Sequence, residues 1–233
     1  MAIDNAIPIS EAANILKVHH SRVRAMVNAG QLDAQKLAGR WFVERSSLER
    51  RRFLDSPDGR PFSPINAWAL LCLAQGNRPE WVDKSARSRL RGHLKRRSWQ
   101  ELVPRLRSRA RPVRLRAHPS ALGRLANESG IILAGVSAAS RYGIDIQPSE
   151  ELEVYVYQAR AGELIQRYKL EASDRPNVVF RVVSDDLPPD WQECVGGAVA
   201  AIDLVESMDL RSQRAGRGYL SNLASIGGAP GGN

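Results

Sequence analysis

Between Ile9 and Arg51 the apolar positions change their period along the chain, and the order of the changes predicts two short helices, a hairpin and a third helix. Ala12, Ala13, Ile15 and Leu16 fall on one face of a helix that Ser10 can cap. After Val18 a second helix buries Val23, Met26 and Val27 at i, i+3, i+4 spacing, and Gly30 ends it. Its other face carries His20, Ser21, Arg22, Arg24 and Asn28, hydrogen-bond donors suited to phosphates and to base edges. Leu32 leads into a hairpin, 34–37 and 41–43, joined through Ala38-Gly39-Arg40, with the glycine supplying a positive φ. Ser46-Ser47-Leu48-Glu49 has the spacing of a capping box and predicts a further helix through Arg50, Arg51 and Arg52.

Asp55-Ser56-Pro57-Asp58-Gly59-Arg60-Pro61 then breaks the pattern and marks a boundary. Ser63-Pro64 places a cap and a first-turn proline before an apolar helix, 65–74, that stops at Gly76. Residues 79–96 read as another helix, with Trp81, Val82, Leu90 and Leu94 inward. Ser98-Trp99-Gln100-Glu101 is a second capping box whose helix Pro104 interrupts. Pro112-Val113-Arg114-Leu115-Arg116 alternates as a strand with one charged face. From Ser120 the texture becomes α/β: a helix through Leu122 and Leu125, a strand at 130–135, a small-residue helix at 136–142, then strand 153–157, helix 161–170 and strand 178–183 as a β-α-β unit. Helices follow at 197–208 and 212–223. The expected fold class is α+β and multidomain: a helix-turn-helix unit with a hairpin at 1–54, a basic helical unit at 62–118, a small α/β domain at 119–224 and a disordered tail at 225–233. The middle unit is left open between a second winged-helix-like domain and a helical linker with solvated charges.

The first of these units has the order of parts used by winged helix-turn-helix DNA readers, the hairpin being the wing. As it stands, ISEAANILKVHHSRVRAMVNAGQLDAQKLAGRWFVERSSLERR resembles the excisionase and MerR-like winged-helix family. His19 departs from it, standing where that family usually has a Ser or Thr to cap the recognition helix. The resemblance implies double-stranded DNA as a partner, read by His20, Ser21, Arg22 and Arg24 with Lys36, Arg40 and Trp41 of the hairpin. A helix-turn-helix used only to contact protein is the plainer alternative.

Charge sharpens this picture. The chain of 233 residues has a formal net charge of +9, but Lys84–Arg124 alone holds fourteen Lys and Arg against one acid, Glu101. Residues 125–233 carry fifteen acids and nine bases, a balance of −6. The basic middle suits a polyanion, and Arg87, Arg91, Lys95 and Arg105 are the expected phosphate contacts. The acidic end suits a basic protein surface, with Glu150, Glu151, Glu153, Asp185 and Asp186 as candidate contacts. No apolar run approaches membrane-spanning length and no signal segment is evident, so the expectation is a cytoplasmic protein. Cys72 and Cys194, far apart in sequence, read as buried, reduced thiols. Neither they nor the four histidines have metal-ligand spacing, so neither metal nor cofactor is expected.

The segments IILAGVSAASRYGIDIQPSEELEVYVY, VVFRVV and AVAAIDLVESMDLRSQRAGRGYL resemble the C-terminal region of AbiE-type antitoxins. That family pairs an N-terminal promoter-binding winged helix with a region that counteracts a nucleotidyltransferase toxin. The resemblance therefore implies an autorepressing antitoxin, not an enzyme, with its own promoter and a nucleotidyltransferase-like toxin as partners, and leaves open a homodimer on DNA. The alternative is an excisionase-like regulator of phage or plasmid type without a toxin. A third reading takes Gly135-Val136-Ser137 and the pair Glu151 and Glu153 as a divergent nucleotidyltransferase signature, with both carboxylates on one strand face. Against it stand the separated Gly and Ser and the absence of a following basic cluster. Solvent-facing glutamates entering a strand are the simpler account.

Overall fold

In the computed structural model the chain forms two compact units, Met1–Pro57 with Met208–Leu210, and Asp58–Ser207 with Arg211–Asn233. The structure describes residues 6–28, 31–54, 60–146, 150–173 and 175–226.

In the first unit β1 (Ala6–Pro8) precedes α1 (Ile9–Leu16), α2 (His20–Asn28), β2 (Ala34–Leu37), β3 (Arg40–Glu44) and α3 (Arg45–Leu54). The strands form an antiparallel sheet in the order β1-β3-β2, with Ile7 opposite Val43 and Lys36 opposite Trp41. β1 was not foreseen. Three residues ending in a proline carry no readable alternation, and a strand lacking an N–H at its end fits only the sheet edge it occupies. Ala12, Ala13, Val23, Met26, Leu32, Val43 and Leu48 are buried together with Ile7 and Ile9, while Ile15, Leu16 and Val27 pack partly buried against them.

Two expected caps are corrected. α1 starts at Ile9 behind Pro8, so Ser10 lies inside it and does not cap it. α3 starts at Arg45, and the buried Ser47 hydroxyl instead accepts from the Asp33 N–H at 2.9 Å, tying the helix to the entry of the hairpin. Gly30 lies outside the described residues.

The second unit opens with α4 (Pro64–Ala74), capped by Ser63 with Pro64 in its first turn as the sequence indicated. Residues Ala67 to Cys72 are all buried, so α4 is apolar all round and occupies the interior. α5 (Lys84–Arg96) begins later than expected, because the Asp83 carboxylate accepts from the Ala86 N–H at 2.6 Å and leaves Trp81 and Val82 in the preceding turn. α6 (Trp99–Leu102) has the expected reciprocal capping box of Ser98 and Glu101. Pro104 does not end the structure there: it sits in the opening turn of a 3-10 segment, Val103–Arg109.

β4 (Arg111–Arg116), α7 (Pro119–Ala126), β5 (Ile131–Leu133), α8 (Gly135–Ala138), β6 (Leu152–Tyr157), α9 (Gln158–Tyr168), β7 (Glu171–Ala172) and β8 (Val178–Val183) follow. A 3-10 segment (Pro189–Cys194) then leads to α10 (Gly197–Val205) and α11 (Leu210–Ile226). α11 runs into the stretch expected as tail from 225; residues 227–233 lie outside the described residues. The strands make a five-stranded sheet, β5-β6-β8-β4-β7, in which β6 and β8 are parallel across the expected β-α-β crossover.

The same sheet corrects the domain boundary drawn at 118/119. β4 pairs with β8 from Arg111 to Leu115, so the basic segment and the α/β segment share one sheet and belong to one unit. Residues 62–118 are therefore not an independent winged helix. Leu152, Val154 and Val156 of β6 and Val178, Phe180 and Val182 of β8 form the core with Leu125 and Leu164. Alternation sends Glu153, Tyr155 and Arg181 to the other face. There Tyr155 meets Trp68 of α4 and Trp191, with ring centroids at 5.2 and 5.6 Å. The two cysteines, remote in sequence, are neighbours in this unit: both are buried, the Cys194 thiol donates to the Asp190 carbonyl at 3.8 Å, and burial raises both pKa values.

Candidate nucleic-acid interface

The turn between α1 and α2 sets the angle of the second helix. Lys17 adopts a left-handed conformation at φ 54°, and the Val18 N–H returns to the Ala13 carbonyl at 3.1 Å, closing a Schellman-type end. His19 then does what a Ser or Thr would do. Its Nδ1 accepts from the Ser21 N–H at 3.4 Å and lies 2.9 Å from the Ser21 hydroxyl, occupying a first-turn donor of α2. The same device recurs at His118 and Ser120 at the head of α7.

With Val23 and Met26 in the core, α2 turns His20, Ser21, Arg22, Arg24 and Asn28 outward, all exposed. The hairpin turns on Ala38 and Gly39, both at positive φ (46° and 78°), a tight type I′ geometry for which the sequence foresaw only the glycine. Lys36 and Arg40 are exposed and Trp41 is half-buried. Arg24, Val27 and Asn28 of α2 line one shallow pocket with Trp41 of β3 and Ile9, so helix and hairpin contribute to a continuous surface. Arg22, Arg24, Lys36 and Arg40 have no ion-pair partner within 4.0 Å among the described residues, whereas Arg50 is drawn to Asp33 at 3.4 Å.

Residues 9–51 match the family model described as a helix-turn-helix domain. The N-terminal unit is a DNA-binding helix-turn-helix domain. No curated protein and no solved structure matches the chain.

In the second unit the expected phosphate contacts separate into two groups. Arg91 and Lys95 are exposed on α5. Arg87 is not available: its guanidinium donates to the Pro79 carbonyl at 3.1 Å and the Val82 carbonyl at 2.6 Å, and Glu80 lies 3.5 Å away. Arg105 is half-buried, its guanidinium 4.4 Å from the Phe62 ring centroid and its Nε donating to the Arg60 carbonyl. The basic segment thus uses part of its charge internally.

The acidic candidates divide in the same way. Glu150, Glu151 and Asp186 are exposed. Asp185 is exposed too, but its carboxylate accepts from the Ala159 N–H at 3.1 Å and so serves the first turn of α9. Glu153 is buried, which removes it both as a surface contact and as a solvent-facing partner of Glu151.

Glu153 belongs to a network that sequence reasoning missed. Arg181 Nε donates to Glu153 at 2.6 Å, and its other nitrogens reach Glu206 at 2.6 Å and the Asp203 carbonyl at 2.9 Å. Arg109 holds Glu206 in a two-pronged pair, both bonds at 2.7 Å, and Asp203 at 2.7 Å. The Tyr155 hydroxyl also donates to Asp203, at 2.7 Å. The backbone N–H groups of Gly135 and Val136 complete the shell, donating to Asp203 and Glu153. Burial raises the Glu153 carboxyl despite Arg181 beside it; at Glu206 burial acts the same way, but Arg109 and Arg181 outweigh it and the pKa is lowered. Every polar group here has a partner within the fold, which is the signature of a structural network. Among the described residues no cluster of three His, Cys, Asp or Glu is placed to hold a metal, and no helix is long and apolar enough to cross a membrane.

Proposed function

We propose that this chain is a transcriptional regulator that reads duplex DNA with α2 in the major groove and the β2–β3 hairpin as a wing on the neighbouring backbone. The observation that carries the reading is that Arg24 of the helix and Trp41 of the hairpin line one pocket, with exposed Arg22, Lys36 and Arg40 on the same two elements and without an ion-pair partner among the described residues. A gel-shift titration on the DNA upstream of its own gene tests it. Arg22→Ala or Arg24→Ala weakens binding by about 1 to 3 kcal/mol if the side chain reads a base. Unchanged affinity in both variants overturns the assignment.

The finer reading is an autorepressing antitoxin that acts by binding and not by catalysis. Supporting it are the resemblance of the C-terminal segments to AbiE-type antitoxins and the acidic balance of residues 125–233, with Glu150, Glu151 and Asp186 exposed to a basic partner. Two full-chain experiments separate it from an excisionase-like regulator. A nucleotidyltransferase-like product of the adjacent gene co-purifies with the chain and is neutralised by it, and Glu150→Lys with Glu151→Lys and Asp186→Lys weakens that pairing. An integrase as the neighbour, with no growth rescue, supports the regulator without a toxin.

A further inference from the structure

The second unit carries a cationic surface that the helix-turn-helix does not explain. α5 exposes Lys84, Arg89, Arg91, Lys95 and Arg96. Lys84, Arg91 and Lys95 stand at i, i+7 and i+11 and so form one stripe, with the small Ser88 between them and Arg96 to one side; Arg89, about 140° round the helix from Lys84, donates to the Ser85 hydroxyl at 2.7 Å. The acids near this helix are already engaged. Glu80 pairs with Arg78 at 2.8 Å and Arg87 at 3.5 Å, Glu101 pairs with Arg97 at 3.5 Å, and Asp83 caps the helix.

Helix electrostatics account for only part of the pattern. Lys95 and Arg96 sit in the last turn, where the helix end favours cations, but Lys84 sits in the first turn, where it disfavours them. Arg91 and Lys95 are like charges at i, i+4, a repulsive spacing. The local potential is felt by His93, whose pKa is lowered first by burial and then by Arg105, Arg97 and Arg96. Among the described residues no acid pairs with Lys84, Arg91, Lys95 or Arg96, which leaves this row of cations open to an external anion.

We propose that the outward face of α5 is a second DNA-binding surface, one that holds phosphates without reading bases. Duplex DNA is the occupant that fits. The stripe from Lys84 to Lys95 extends about 16 Å along the helix, enough to follow a charged backbone, and the same chain carries a helix-turn-helix domain. The inference rests on that DNA-binding reading, and the test separates the two.

The full chain is titrated with promoter duplex and with a duplex of unrelated sequence across a range of salt. Lys84→Gln, Arg91→Gln, Lys95→Gln and Arg96→Gln combined lower the magnitude of the log K against log salt slope by about 3 to 4 on both duplexes, with the preference for promoter retained. The pair Lys84→Gln and Arg91→Gln lowers it by about 2, and circular dichroism identical to wild type checks the fold of each variant. Arg22→Ala with Arg24→Ala runs in parallel. If that variant keeps its promoter preference while the α5 variants lose slope, the reading of α2 fails and the α5 surface stands. If the α5 variants keep the wild-type slope on both duplexes while the α2 variant loses preference, the α5 surface is overturned alone. A wild-type chain with no affinity for either duplex overturns both.

Discussion

Arg22 and Arg24 on α2 and Arg109 and Arg181 in the second unit are the same side chain put to opposite uses. The first two project from a short helix and, among the described residues, have no acid opposite them and no side-chain hydrogen bond. The other two are buried, and their donors are shared among Asp203, Glu206, Glu153 and backbone carbonyls. Net charge does not distinguish them, but partners do. An arginine whose donors are satisfied internally contributes to the uniqueness of a core, whereas one left unsatisfied at the surface is available to a phosphate or a base edge. Counting cations along a segment therefore overstates its reach for DNA, as Arg87 and Arg109 show within the basic stretch.

The largest expected effect breaks the buried side of this comparison. Arg109→Ala leaves Asp203 and Glu206 without their main counter-charge and destabilises the second unit by about 3 to 5 kcal/mol, measured by urea unfolding of the full chain. A loss below about 1 kcal/mol, the range of exposed pairs, would mean that the network is solvated. On the exposed side, Arg22→Ala and Arg24→Ala shift unfolding by no more than about 0.5 kcal/mol while weakening promoter binding. A variant that lost both stability and affinity in proportion would place these arginines in the fold and not at the interface.

The network also has a pH signature. The folded state raises the Glu153 carboxyl above its unfolded value, so folding favours its protonated form. The stability contributed by that preference is present below the unfolded pKa and is lost as pH rises through the folded one. Wild type therefore loses stability relative to Glu153→Gln as pH increases from about 4 towards neutrality. A stability difference between the two that stays flat with pH, or grows in favour of wild type, contradicts the assignment.

The smallest effect concerns the hairpin. Ala38 holds a φ that glycine or asparagine adopts at less cost, so Ala38→Gly raises the stability of the first unit by about 0.5 kcal/mol and Ala38→Val lowers it. Thermal unfolding of the full chain resolves both, and equal effects of Gly and Val would show that the turn relaxes out of this geometry.

Local chemistry made much of the first unit legible. The apolar faces of α1 and α2, the hairpin at Gly39 and the outward position of Arg22 and Arg24 are all set by neighbours within a few residues. Ser63-Pro64 and the capping box at Ser98 were legible for the same reason. What could not be read was decided across the sequence. The pairing of β4 with β8 moved the expected boundary, and the use of Glu153 depended on Arg181 and α10. One signal was present: Glu153 and Arg181 are each the one charge inside an otherwise apolar strand, LEVYVY and VVFRVV, and they are opposite in sign. Two strands of that kind in one β-α-β unit point to a buried pair.

Gly135 gives the network a heritable mark. Its φ is +41°, a Cβ placed on it would overlap the Glu153 carboxylate, and its N–H donates to Asp203. No other residue fits that turn while the acid stays beneath it. In any lineage that keeps this second unit, the glycine, the strand glutamate, the strand arginine and the helix aspartate are expected to be inherited or lost as a set. Descendants that replace the glycine should also have replaced the glutamate, even where the DNA-reading helix has diverged beyond comparison.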